Sequence, residues 1–233
     1  RAGSKASSLS AKSSAALLGA EPGYPAVLSG TLDRDLALGP EHSPVLVRGR
    51  LVVAAGVTLK LRAGVCLRLR ATEAAGPTSR DGAGEASPAA SAELWVWGAL
   101  RAEGVTGNPV ELAGEDKPPA RVLLYGPSQH ALDGLRARNV ALVQTAGASL
   151  WTNCELVNAP HYALAGGAAL FSHCSFRDCG GVFATYNAAP WSLLVRRCLF
   201  DGCREGLVLG SDPGGGRLIV QQNNFTRPKG AYL

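Results

Sequence analysis

Two C-x4-C pairs, Cys174/Cys179 and Cys198/Cys203, stand in LFSHCSFRDCGG (170–181) and LLVRRCLFDGCREG (193–206). Residues of this type and spacing have three chemistries open to them. Four thiolates can hold zinc, two can close a disulfide between neighbouring strands, and a free thiol can serve as a small core residue. Packing is the leading reading, with a Cys179–Cys203 disulfide as the alternative. Acids and bases surround the pairs: His161, His173, Arg177, Asp178, Asp201, Arg204 and Glu205. Asp178 and Asp201 occupy similar points of the two stretches, so a shared cation is conceivable. The plainer role for such residues is to satisfy backbone groups in turns.

Binding chemistry has other candidates. In LWVWG (94–98), placing Leu94 and Val96 inside sends Trp95 and Trp97 outward together. Paired indoles stack on sugar rings or anchor a protein partner, and they can equally pack beneath a neighbouring loop. NNFT (223–226) makes Asn224 an N-x-T glycosylation acceptor.

The elements that would position these residues repeat. SLWTNCELVNA (149–159), ALFSHCSFRDC (169–179), LLVRRCLFDGC (193–203) and LIVQQNNFTRP (218–228) share one pattern. A key position holds Cys154, Cys174, Cys198 or Asn223, and two places later comes Leu156, Phe176, Phe200 or Phe225. The pattern returns every 20 to 25 residues without a helical stripe, which predicts a solenoid of short strands. Residues i and i+2 of a strand share a face, so the Cys and Phe columns point inward and stack. Two adjacent apolar columns precede them: Leu150, Leu170, Leu194 and Ile219, and Trp151, Phe171, Val195 and Val220. Neighbours in a strand face opposite ways. Counting from Cys and Phe puts the Trp/Phe/Val column inside, and the Leu/Ile column becomes an outward stripe, a candidate interface with a partner.

Further forward the pattern is looser. VRGRLVVAAGVTLKLRAGVCLRL (47–69) alternates with period two, and its V-x-G-x-L opening returns at Val96, Gly98 and Leu100. Between them, 71–93 reads as a low-complexity insertion. Residues 135–150 fit worst, because Asn139 precedes Cys154 by only 15 positions. The acid-free segment 1–20 has the composition of an organellar transit peptide. The preferred reading is a short helix, with Leu9, Ala16 and Leu17 on one side, capping the sheet. The sequence contains no Met, which suggests a processed chain or a segment of a longer one.

The V-x-G-x-L…G-x-x-x-x-P-V-x-L coil followed by N/R-C-x-F-x-x-C coils resembles the right-handed parallel β-helix proteins of the pectate-lyase-like superfamily. The resemblance implies an all-β fold: a single right-handed parallel β-helix of about eight coils over 45–233, with 1–44 as N-terminal segment and cap. Such scaffolds host polysaccharide lyases, hydrolases and epimerases as well as adhesins and structural modules. By the family's pattern, a lyase or epimerase would use a basic residue to abstract a proton beside a uronate carboxyl. The hydrolase Asp-Asp and Gly-His-Gly signatures and the epimerase Asp-Pro-His-Asp are absent from the sequence.

Composition narrows the classes. Apolar residues make up 46% and charged residues 18%, a globular balance. No apolar run is long enough to span a bilayer. The net charge of +5 rests on arginines, which suit an acidic glycan or keep an edge-rich fold soluble. The clustered basic and aromatic residues of a nucleic-acid binder are not evident. The reading is therefore a non-catalytic structural or binding module without cofactor or metal. Its expected partner is another chain of the same assembly or the rest of a longer polypeptide, with an acidic glycan as a further ligand. The expected location is secreted or cell-surface, with an organelle as alternative. The rival functions are a lyase or epimerase acting on acidic polysaccharide and an accessory subunit of an organellar complex.

Overall fold

The computed structural model describes residues 15–17, 20–72, 91–115, 117–184, 190–205, 207–209, 215–227 and 229. These residues are almost wholly extended, interrupted by a short 3-10 turn at Pro40–His42. From Thr58 onward each strand pairs in parallel with the strand three places later in the chain. Successive triplets therefore stack, and three rows result.

Row one contains Glu93–Val96, Ala120–Leu124, Val140–Gln144, Tyr162–Leu164, Val182–Ala184 and Leu207–Leu209. Row two runs from Leu36–Leu38 through Thr58–Arg62, Ala99–Glu103, Gln129–Asp133, Ala148–Thr152, Gly167–Ser172 and Trp191–Arg196 to Arg217–Gln221. Row three contains Cys66–Arg70, Val110–Gly114, Leu135–Arg138, Glu155–Val157, Ser175–Arg177, Leu199–Asp201 and Asn224–Thr226. The long strand Val45–Val53 pairs through 45–48 with row three and through 50–53 with row one. Rows one and three are thus arms of one 16-stranded sheet, and row two is a separate eight-stranded sheet. This is an all-β chain of mostly parallel strands in stacked sheets, an arrangement compatible with a β-helix-like solenoid.

The core is a set of ladders. In row three Leu112, Ala137, Leu156, Phe176, Phe200 and Phe225 lie over one another. Ring centroids are 4.7 Å apart for Phe176–Phe200 and 4.8 Å for Phe200–Phe225, with planes within 13° of parallel. That spacing is the separation of hydrogen-bonded strands, so the backbone ladder itself sets the aromatic stack. In row two Trp151, Phe171 and Val195 are buried in one column, and Trp151 stacks on Phe171 at 5.4 Å; Val220, the fourth member expected inside, pairs with Val195 but is 37% exposed. Each such side chain gains about 1.5–3 kcal/mol from leaving water.

Single residues turn the corners. Asn153, His173, Arg197 and Gln222 have φ between 51° and 57°, just before Cys154, Cys174, Cys198 and Asn223. Asn139, Asn158, Asp178 and Arg227, with φ between 48° and 53°, turn the corner between rows three and one, with Gly202 at 62° completing that column. Left-handed backbone tolerates Asn, Asp and His better than bulky or branched residues, which accounts for much of the polar composition here. Each corner N–H then bonds the next coil, as in Asn153 N to Ser172 O at 3.1 Å and Asp178 N to Asp201 O at 2.9 Å.

The same columns resolve 135–150. Gly134 (φ 58°) and Leu135 occupy the positions filled elsewhere by a polar residue and Cys. Asn139 belongs to the second corner, above Asn158, and is not a counterpart of Cys154. At the N-terminal end Ala15–Leu17 is a strand, antiparallel to Leu28–Gly30, where a helix was expected; residues 1–14 lie outside the described residues. Parallel pairing already begins at Ala26–Leu32, ahead of residue 45. Of the expected insertion at 71–93, residues 73–90 lie outside the described residues, and Glu93 opens a row-one strand.

Candidate functional site

Alternation in row two decides what its outer surface carries. Ser149, Trp151, Ala169, Phe171, Leu193 and Val195 turn inward and are at most 5% exposed. Their neighbours Leu150, Leu170, Leu194 and Ile219 turn outward in one column, register partners from coil to coil. Leu150 is 45% exposed, and the other three are half-buried. The column beside them holds the small residues Ala148, Ala168 and Ser192. Leucines next to small side chains leave a shallow apolar groove of about 460 Å³, with Arg217 at its end. The polar side chains on its outward lining are Gln129, Ser192 and Arg217, and the rest of the groove offers apolar contact.

Five of the six cysteines form two buried stacks, and Cys66 stands apart, half-buried on row three. Cys154, Cys174 and Cys198 occupy one, and Cys179 and Cys203 the other. All are free thiols, so the Cys179–Cys203 disulfide is not formed in this structure. Each stacked sulfur donates to a carbonyl, for example Cys174 to Trp151 O at 3.4 Å and Cys179 to Leu156 O at 3.3 Å. The Cys174 thiol is pushed up to about 12 by its hydrogen bond with Cys154 and by burial, and the hydrogen bond with Cys174 raises Cys198 further. Thiols held protonated in this way, as Cys174 and Cys198 are, make poor nucleophiles and poor metal ligands; in the second stack the hydrogen bond between the two thiols raises Cys179 and lowers Cys203 to about 7. At Asn223 the column ends in an amide that accepts from Cys198 N (2.8 Å) and donates to Val195 O (2.9 Å).

The acids and bases are distributed among the three rows. Asp178 pairs with Lys229 at 2.7 Å, and Asp201 takes Arg227 and the Thr226 hydroxyl. The Arg227 hydrogen bond, followed by that of Thr226, holds Asp201 down at about 2. The two carboxylates thus bind separate cationic side chains. Arg177 bonds Glu155 at 3.3 Å, and Glu155 also receives Arg136 at 2.6 Å. His173 is a corner residue whose ring meets Ser172 Oγ at 2.9 Å. His161 lies far around the coil beside row one, its pKa lowered by burial and by Arg121. Arg204 and Glu205 continue the ladder through their backbone N–H groups. A second cavity, about 550 Å³, opens at the corner of rows two and three beside Asp133, Arg136, Asn153 and Glu155. Its carboxylates are engaged: Asn153 donates to Asp133 at 3.0 Å, and Arg136 holds Glu155.

Trp95 and Trp97 do face outward on row one, with Leu94 and Val96 fully buried. They enclose Tyr125, a residue the sequence did not flag: Trp97 stacks on it at 4.6 Å and Trp95 tilts against it at 5.6 Å. Arg50 lies 4.3 Å over Trp95, and Glu93 accepts the Trp95 indole N–H at 3.0 Å while bonding Arg50 and Arg121. Most of this cluster is occupied with itself, and Trp97 keeps 42% exposure. Asn224 is outward and exposed.

Sequence reasoning also missed an interior polar group. Gln144 Oε1 accepts from Ser149 Oγ and Tyr162 OH, both at 2.6 Å, and Ser149 accepts the Trp151 indole N–H at 2.9 Å. The Gln144 amide donates to Ala168 O at 3.0 Å. In the same row-two column His130, 2% exposed, accepts from Leu100 N at 3.2 Å, while its Nε2 has no partner. Among the described residues no three His, Cys, Asp or Glu side chains converge as metal ligands, and no helix is long and apolar enough to cross a membrane. No family model, curated protein or solved structure matches the chain.

Proposed function

We propose that the protein is a non-catalytic binding module: a single right-handed parallel β-helix of the pectate-lyase-like kind, capped at its N-terminal end, whose row-two outer face docks another polypeptide. The occupant belongs to the same assembly or to the rest of a longer chain. The observation that carries this reading is the unbroken column Leu150, Leu170, Leu194 and Ile219 on the outside of a sheet whose inside is already filled. Single exposed leucines are ordinary, but a contiguous apolar row marks a contact surface. Trp97 and Tyr125 offer a smaller platform for a sugar ring. The outward Asn224 suits a secreted or cell-surface location, and an organellar assembly is the alternative.

The double variant Leu170→Glu with Leu194→Glu tests the reading on the isolated protein. It is expected to keep the parent's circular dichroism and melting temperature while losing the native-state binding of an apolar dye such as anilinonaphthalene sulfonate. Unfolding of the variant would show that the column is core. The rival, a lyase or epimerase on acidic polysaccharide, is tested with pectate and alginate in the presence of Ca²⁺. Unsaturated product, abolished by Arg177→Ala or Arg204→Ala, would replace the binding reading.

A further inference from the structure

Row two gathers arginines without carboxylates around its leucine column. Elsewhere most guanidiniums meet carboxylates: Arg48 with Glu21, Arg50 and Arg121 with Glu93, Arg70 with Glu115, Arg136 and Arg177 with Glu155, Arg227 with Asp201; Arg68 and Arg138 of row three stand apart from one another without such a pair among the described residues. Around the leucine column, Arg101, Arg196, Arg197 and Arg217 are all exposed, and among the described residues none pairs with a carboxylate. Among the described residues Arg196 bonds a hydroxyl, Ser172 Oγ at 3.3 Å, and Arg197 an amide, Gln222 Oε1 at 2.9 Å.

Register places these charges around the apolar surface. Ser192, Leu194 and Arg196 alternate outward on one strand, facing Arg217, Ile219 and Gln221 on the next. The Leu194–Ile219 pair is therefore flanked on one side by Arg217 and on the other by Arg196, four residues and roughly 13 Å apart along the strand direction. At the opposite end the column continues through Ala131 to Arg101. The nearest carboxylates on this face are occupied, Glu103 by Lys60 and Asp133 by Asn153.

Building on the docking reading above, we infer that the partner segment is acidic: a polypeptide apolar along one side, with Asp or Glu flanking that side, seated on the leucine column between these arginines. A second copy of this chain does not fit. A face-to-face dimer about a two-fold axis lying in this face sets Arg196 and Arg217 either against themselves or against Arg101, and like charges across an interface are strongly unfavourable. A polyanionic glycan satisfies the arginines but leaves Leu150, Leu170 and Leu194 wet. A bilayer needs protruding side chains, whereas Leu170, Leu194 and Ile219 are half-buried along a groove.

The test uses the full chain and two fluorescent amphipathic helical peptides with the same leucine face, one flanked by Glu and one by Lys. By anisotropy at low salt the Glu peptide is expected to bind at least tenfold more tightly than the Lys peptide. Arg196→Glu with Arg217→Glu should reverse that order, and the reversal cannot come from misfolding, because the variant must gain the Lys peptide. Leu170→Glu with Leu194→Glu should abolish both. Equal affinity for the two peptides, lost in the leucine variant, would overturn the acidic-partner inference and leave the docking face standing. Failure of the Glu peptide to bind would overturn it as well. Two further results would do so by naming another occupant: dimerisation in sedimentation velocity that the leucine variant removes, or co-sedimentation with phosphatidylserine vesicles in place of peptide binding.

Discussion

The outer faces of rows two and three are built on the same backbone ladder and behave oppositely. Row three pairs its charges across coils: Arg136 lies between Glu111 and Glu155, Arg177 reaches Glu155, and Asp201 holds Arg227. Row two stacks leucines and leaves its arginines without carboxylates. A surface that satisfies its own polar groups asks nothing of a neighbour, and a surface that stacks apolar groups outward does. The inner faces of both rows are buried side-chain ladders, so the fold does not require the difference.

That contrast can be broken from inside or outside, and interior changes should be larger. Phe200→Ala removes the middle ring of the Phe176–Phe200–Phe225 stack and should cost about 3–5 kcal/mol in urea unfolding. A loss no larger than that of an exposed leucine would mean the stack contributes little. Acid should act through His130. Burial lowers its pKa to about 4 from the ordinary 6.5, so between those values the unfolded chain binds the proton and the folded chain does not. Stability then falls as pH drops through that window, by at most about 3 kcal/mol. His130→Asn keeps an acceptor for Leu100 N and should flatten that part of the profile; an unchanged slope would exonerate the ring.

Smaller effects sharpen the comparison. Cys198→Ser places a hydroxyl in the thiol stack and should cost roughly 1–3 kcal/mol, with the melting temperature indifferent to chelators. On row three, Glu155→Gln removes a carboxylate shared by two half-exposed arginines. It should cost under about 1 kcal/mol, less at high salt. On row two, Leu194→Ser should leave the melting temperature within about 0.5 kcal/mol of the parent in stability terms. A larger loss there than at Glu155 would invert the assignment of the two faces.

The sequence by itself determined the strand periodicity, the inward Cys and Phe columns, the outward leucine column and the outward tryptophans. All follow from alternation within one strand and recurrence between strands, which a linear chain displays directly. Tertiary structure decided the rest. Residues 135–150 were obscure because Leu135 fills a position marked elsewhere by Cys, and only stacking reveals the equivalence. Tyr125 joins the tryptophans because a strand about 30 residues later lies beside theirs. Asp178 and Asp201, similar in sequence, part because one stands at a corner beside Lys229 and the other beside Arg227. Whether a guanidinium is neutralised or left open depends on which residue lies one coil away. Coil length varies along this chain from 19 to 25 residues between the corners at 139, 158, 178, 202 and 227, so no fixed offset in the sequence gives that neighbour; the hydrogen-bonded register does.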